Sequence, residues 1–279
     1  MEMQEKAGIV IPLDGSRTAA LAFGAAQAVA EVMDAVLHIV TVTDQPLPEP
    51  ELMGKLGIDR LPLRDFVLHQ EPGDVVDVVV SLASRQNMLM TVMSSHGETF
   101  NQGSLIGHIG MGIIQRSTYP VMVIRPDMKK LPDSNWRPRK ALVPLNGSPA
   151  AAAAMDRALQ LAELMGCEVD VIHVAMQGQK RPRAAGSLTS PMYLDYPHHE
   201  WSAWAEEFMA RFARRPPSVK LRLLHREGVP ADQMIKQAEE NGEDLIMLAW
   251  QGSLEKGRAR TIKRILAKTE VPLILIKTG

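Results

Sequence analysis

The sequence predicts an α/β fold of two domains, each a five-stranded parallel sheet with helices on both faces. Three observations predict it. Short apolar runs alternate with long helical patterns, as strands joined by helical crossovers do. Runs such as VMVI (121–124) and LILI (273–276) are apolar without alternation, the mark of strands covered on both faces. The order of these elements is written twice along the chain.

In the first half, the strands are expected at Gly8–Pro12, Val36–Val42, Phe66–His69, Leu89–Met93 and Val121–Ile124. Helices are expected near Ser16–Asp34 and Asp74–Gln86, and another after Gly107. The second half repeats the pattern. GIVIPLDGSRTAAL from Gly8 returns as KALVPLNGSPAAAA from Lys140, and VLHIVTV from Val36 as VIHVA from Val171. LHQEPGDVVDVV from Leu68 returns as LHREGVPADQMI from Leu224, and YPVMVIRP from Tyr119 as VPLILIKT from Val271. The offset grows from 132 residues (Pro12 to Pro144) and 135 (His38 to His173) to 156 (His69 to His225). An insertion of about twenty residues therefore lies between the second and third strands of the second half. Domains are expected at 1–128 and 138–279, with the proline-rich stretch RPDMKKLPDSNWRPRK (125–140) as linker.

The bulk composition narrows the function classes. The 279 residues are 46% apolar and 23% charged, with a formal net charge of -1, so no global basic field favours nucleic acid. Cys167 is the only cysteine, which excludes an internal disulfide and a thiolate metal cluster and fits a reducing cytoplasm. No basic-plus-apolar leader opens the sequence, and no apolar run reaches the ~18–20 residues of a membrane span. The expectation is a cytoplasmic chain without membrane or nucleic-acid partners.

In parallel sheets, ligands sit outside the carboxyl ends of the strands. Two stretches lie there: PLDGS after the first strand and VMSSHGETFNQGSLIGHIGMG (92–112) after the fourth. The latter opens from a strand into a Gly-rich loop and then a helix. Such a loop offers backbone N–H groups and a helix N-terminus to an anion. It lacks the lysine of a P-loop and is not a GxGxxG fingerprint.

Taken together, IPLDGS, the LH of the second strand, SSHG followed nine residues later by Gly107, and the closing PVMVIRP resemble a universal stress protein domain. Both halves carry the pattern, so nearly the whole chain resembles a tandem pair of Rossmann-like (adenine nucleotide alpha hydrolase-like) domains. The resemblance implies a non-catalytic stress-response protein that binds ATP or AMP in its first domain. The positions implied are Pro12, Asp14, Ile39, Ser94, Gly97, Gly107 and His108. Ser94 stands where the family has a glycine, and His108 where it has Ser or Thr. An imidazole there replaces, blocks or charges the contact to a terminal phosphate. His96 and His108 are the only nearby general-base candidates for slow hydrolysis. In the second domain Asn146, Ala249, Gly252 and Ile262 fill the corresponding positions, and that site reads as lost. The alternative function is a nucleotide-free dimeric interaction scaffold with both pockets closed. The resemblance also implies pairing through the last strands, as a homodimer or an intramolecular pseudo-dimer.

The remaining conspicuous residues are weighed as structure first. His38/His173 and His69/His225 match between halves without metal-ligand spacing. Adjacent His198-His199-Glu200 point in different directions on a helix start. The run Gly252–Lys268, with six Lys or Arg against one Glu, reads as a solvated helix face. Seventeen methionines read as core filler, and Cys167 as buried. Gly110 and Gly112 each lower helix propensity by about 1 kcal/mol, and either close packing against a neighbour or an unusually loose loop accounts for them. Tyr193, Tyr196, Trp201, Trp204, Phe208 and Phe212, half of the twelve aromatics, fall in the insertion at about 178–212. From Trp201 they share one helical face, which packs on its own sheet, or else the insertion leaves the second domain and covers the domain interface or the first domain's site.

Overall fold

A computed structural model of the chain describes residues 6–59, 65–85, 87–97, 105–146, 148–175, 207, 216–252 and 259–278. The chain divides into two compact units, Met1–Arg137 and Pro138–Gly279. The aromatic stretch 193–212 and His198-His199-Glu200 lie outside the described residues.

The first unit runs β1 (Gly8–Pro12), α1 (Arg17–Ala20), α2 (Phe23–Val32), β2 (Val36–Val42), α3 (Glu49–Leu56), β3 (Phe66–Glu71), α4 (Val75–Ala83), β4 (Met88–Ser94), α5 (His108–Arg116) and β5 (Val121–Ile124). Its strands are parallel in the order β3-β2-β1-β4-β5. The second unit runs β6 (Lys140–Pro144), α6 (Pro149–Met165), β7 (Glu168–Ala175), β8 (Leu221–Glu227), α7 (Pro230–Asn241), β9 (Leu245–Trp250), α8 (Arg260–Lys268) and β10 (Leu273–Lys277). Its order, β10-β9-β6-β7-β8, is the same arrangement and again parallel. The doubly covered α/β sheet expected from the apolar runs is therefore present in each unit. Ile9, Val10 and Ile11 in β1, and Leu245, Ile246 and Met247 in β9, have no exposed surface. Among the described residues no helix is long and apolar enough to cross a membrane.

Several elements differ from the sequence expectation: β4 gains a residue at each end (Met88–Ser94), and α4 stops at Ala83 rather than near Gln86. The single helix expected at Ser16–Asp34 is two, α1 and α2. Between them Leu21 and Ala22 donate to the carbonyls of Thr18 and Ala19, so the coil tightens for one turn rather than stopping. The third strand extends two residues beyond His69, to Glu71. Helix α3 was not expected at all.

The matched histidines pack against each other. His38 Nδ1 and His69 Nε2 lie 2.9 Å apart, with their rings stacked at 5.2 Å. His173 and His225 stack at 5.9 Å, and His173 Nδ1 donates to the Leu145 carbonyl at 2.8 Å. Among the described residues no three metal-ligating side chains gather. Burial pushes His38 from the ordinary 6.5 down to about 4, helped by the charges of His69 and Arg85. Burial, then Arg85, also lowers His69, and Glu71 opposes the shift. The neutral pair shares one N–H, whereas two imidazolium rings would both donate and repel.

The packing around Gly24 reverses a common rule. In α2, a Cβ added at Gly24 would stand 2.6 Å from the Pro132 carbonyl oxygen and 2.9 Å from the Asp133 Cα. Replacing glycine by alanine in a free helix gains about 1 kcal/mol. Here Gly24→Ala is expected to cost roughly 1–3 kcal/mol in denaturant unfolding, because backbone must move. A second prediction follows from the histidine pair. The folded state resists protonation that the unfolded chain accepts near 6.5, so stability is complete above that value and falls as pH drops through about 4. Denaturant midpoints measured across this window should fall, and His38→Gln should make the fall shallower.

Candidate functional site

The carboxyl ends of β1 and β4 bring the two singled-out stretches together. Because β1 pairs with β2 on one side and β4 on the other, their connections leave in opposite directions and open a crevice between. The Leu13 N–H donates to the Val40 carbonyl at 2.9 Å, carrying the β1 ladder past Pro12. The chain then turns on Asp14, whose Oδ1 accepts the Ser16 N–H at 2.9 Å. Gly15 holds φ +83°, a conformation open to glycine at little cost. Ser16 caps α1 by accepting the Ala19 N–H at 3.1 Å.

Helix α3 forms a wall of this turn. A Cβ at Gly15 would lie 3.2 Å from the Lys55 carbonyl oxygen and 3.9 Å from the Lys55 side chain. Its signals stand in LPEPELMGKLG: prolines at the entry, Glu49 and Glu51 in the first turn, and Gly57 at φ +70° as the stop. They mark a helix start and stop, and Lys55 is the site neighbour that motif spacing does not reveal.

Across the crevice, β4 ends at Ser94, whose Oγ accepts the His96 N–H at 3.4 Å. Ser95 and His96 are buried, and Ser95 Oγ lies 2.9 Å from His96 Nδ1. The Ser95 N–H donates to the Ile124 carbonyl, and the Gly107 N–H donates to the Ser95 carbonyl, each at 2.8 Å. The Gly-rich loop thus leaves and returns at one residue, so its neck is closed. Residues 98–104 of the loop lie outside the described residues. Behind the neck, the Arg125 guanidinium pairs with Asp127 at 2.5 Å and holds that carboxyl below its usual range, with His96 adding to the effect.

Gly97 is where the two sides meet. A Cβ added there would stand 2.8 Å from Asp14 Oδ2. Gly107 is the N-terminal cap of α5 and brings no side chain to the helix's first N–H groups. His108 and Ile109 follow it and are exposed. Asp14, Ser94, Gly97, Gly107 and His108 therefore gather around one crevice. Pro12 sits half-buried at its floor, while the Ile39 side chain is buried inside β2 between Ile11 and Leu68. Gly110 and Gly112 are close-packing glycines, since added Cβ atoms would lie 2.9 Å from Ile106 and 2.8 Å from Val76.

The second unit keeps the turn and not the rest. Asn146 Oδ1 accepts the Ser148 N–H at 3.0 Å, as Asp14 does, without the charge. Trp250 fills the end of β9 with 1% exposure. Residues 253–258 lie outside the described residues, and α8 starts after Ala259 at φ +52°, without a side-chain cap. Part of the basic run has a structural partner: Arg264 pairs with Asp232 at 2.6 Å. Burial pushes the Cys167 thiol up to about 12, with the Asp244 charge adding, so the lone cysteine is unreactive.

The family model described as the universal stress protein family matches residues 8–125 and again 138–277. Among solved structures, the chain is similar to a universal stress protein from Archaeoglobus fulgidus DSM 4304, with a TM-score of 0.64 and 18% identity over 98% of each chain. A protein from Pseudomonas aeruginosa UCBPP-PA14 with the same family designation has a TM-score of 0.65 at 14% identity, covering 99% of this chain and 95% of its own. Likeness at such identities shows the fold.

The approach of Gly97 to Asp14 is testable as a coupling. Gly97→Ala is expected to lower stability because its methyl group meets the carboxylate. In the Asp14→Ala background the same change should cost less. A double-mutant cycle read by denaturant unfolding should give a coupling of about 0.5–3 kcal/mol.

Proposed function

Because the chain belongs to the universal stress protein family through both halves, we propose that its first unit binds an adenine nucleotide, ATP or AMP, while its second serves as structure. The observation that carries this reading is the crevice with its closed loop neck: Gly97 set against Asp14, and the neck tied from Ser95 to Gly107. Its parts suit the parts of a nucleotide. Uncapped N–H groups at the start of α5 meet phosphate oxygens, and the helix adds partial positive charge. Asp14 Oδ2 accepts from a ribose hydroxyl, Ile39 lends its backbone to the base, and Pro12 lines the floor. Ser94 lets the chain pass close to the ligand, and exposed His108 contacts the outermost phosphate.

The reading is one of binding rather than turnover, in a cytoplasmic stress-response protein. His96 Nδ1 is already held by Ser95 Oγ, so the buried imidazole serves the loop's shape. Slow hydrolysis would fall to His108, and a phosphate-release assay on His108→Ala measures that share. Asn146, Trp250 and Ala259 support a structural second unit. The rival reading is a nucleotide-free scaffold. It draws on His108 and Ile109, which present an imidazole and an exposed apolar side chain at the mouth of the crevice.

The test is to denature the purified protein, identify the released small molecules by mass spectrometry, and titrate stripped protein with ATP and AMP by calorimetry. Binding near one nucleotide per chain, at about 1 µM (about -8 kcal/mol), supports the proposal. Gly107→Val should abolish the binding heat and keep the fold. Its backbone (φ -61°, ψ 159°) suits any residue, and an added Cβ meets nothing nearer than 3.7 Å. No released nucleotide and no heat would favour the scaffold.

A further inference from the structure

The second unit encloses a polar network that the first lacks. Matching His173 to His38 and His225 to His69 sets Asp170 opposite Ala35 and Arg222 opposite Phe66. On β7, Asp170 is 3% exposed, and both its oxygens are taken by Arg222 of β8, Nε at 2.9 Å and Nη2 at 2.5 Å. Arg226 of β8 donates to Gln237 Oε1 of α7 at 3.0 Å. Gln237 Nε2 in turn donates to Glu243 Oε1 at 2.6 Å.

Glu243 is 2% exposed, and its second oxygen, Oε2, is buried with no hydrogen-bond partner. The Asp170 carboxyl interacts with that of Glu243 and favours its protonated form. Two carboxylates are both acceptors and cannot bond unless one carries a proton. Asp170 has the Arg222 guanidinium, whereas Glu243 has only a neutral amide. The proton therefore belongs to Glu243. We propose that Glu243 folds as the neutral acid and donates to Asp170, a proton-held latch that fastens the α7–β9 turn to β7 and releases it as pH rises.

The groups facing the latch are Asp170 from β7, Arg222 and Arg226 from β8, and Gln237 from α7. Burial pushes the Glu243 carboxyl up from 4.5, the Gln237 amide opposes this, and the Asp170 carboxylate raises it further. The sign follows. A raised value in the folded state gives stability that is complete below 4.5 and lost as pH climbs through the raised value. The loss is local to a defined place. Asp244, the next residue, accepts the N–H groups of Arg139 at 2.7 Å and Lys140 at 3.1 Å, and Lys140 Nζ donates to the Asn241 carbonyl at 3.0 Å. Two ionised carboxylates behind this turn would press it away from the start of β6.

The experiment is a pH titration of the full chain carrying ¹³C in its glutamate carboxyls, followed by NMR. One signal, absent in Glu243→Gln, is expected to titrate above every other glutamate. Asp170→Asn, which offers an amide donor in place of a carboxylate, should move it down toward the ordinary range, with the part due to burial remaining. Hydrogen exchange of residues 241–246 gives the second readout. Opening should rise up to tenfold per pH unit between 4.5 and the raised value, the slope of one proton, and stay flat in Glu243→Gln. A Glu243 signal that titrates with or below the others overturns the proposal, as does opening that rises equally in both proteins. Because the titration is read on the unsubstituted chain, poor folding of a variant leaves it decisive.

Discussion

The parallel sheet covered on both faces is the constraint on which the rest depends. The inner strands bury both sides, so most polar side chains lie at strand ends, in turns and on the edge strands β3 and β8. The β1 side chains Ile9, Val10 and Ile11 have no exposed surface, and the first polar side chain after them is Asp14, beyond the strand. At the same end, β4 runs out into Ser94, Ser95 and His96. With β2 and β4 flanking β1, the turns after β1 and β4 meet over the crevice. They meet at Gly97, where an added Cβ would stand 2.8 Å from the Asp14 carboxylate.

The two units show how little of that scaffold depends on the site. Asn146 makes the same turn bond as Asp14, so the turn requires a side-chain oxygen and not a charge. The loop after the fourth strand is different, since its chemistry lies in glycines that only a close approach requires. At the cap of the following helix the first unit has Gly107 with ordinary dihedrals and the second has Ala259 at φ +52°, three residues before the Ile262 that motif spacing matches to Gly107. A non-glycine residue in that region is uncommon and costs of order 1 kcal/mol or more. The second unit keeps its sheet, cap and turn while its loop has taken another course.

Most of the fold was legible because apolar runs and repeats report burial directly. GIVIP, VLHIVTV and VMVI name β1, β2 and β5 to the residue. The glycine spacing pointed to a loop that the structure closes at Ser95 and Gly107. Helix α3 was missed because its eight residues carry only two buried side chains, Leu52 and Leu56, too few to show a period. The tightened turn at Leu21 and Ala22 was hidden because an alanine-rich stretch suits a tight coil and an α-helix alike. The carboxyl pair was illegible for a deeper reason. Asp170 and Glu243 are 73 residues apart and meet only through the register of β7 against its neighbours. No local pattern marks two acids that fold against each other.

The buried carboxyl of the second unit is poised in the opposite sense to the buried histidines of both units. His38 is held neutral by burial in the first unit, so acid is what charges it. Glu243 is held neutral in the second, so base is what charges it. Each sits where a β-strand meets polar neighbours at a sheet margin, and each has one partner able to share a single proton. Burial alone penalises either charge, and the partner decides how the penalty is met. A histidine beside a histidine loses its bond by gaining a proton, while a carboxyl beside a carboxylate loses its bond by giving one up. The same sheet, repeated with different residues on β7 and in the α7–β9 turn, thus keeps an acid-sensitive histidine in both units and adds a base-sensitive carboxyl to one. A duplicated scaffold can diverge in this way without any change to the strands that define it.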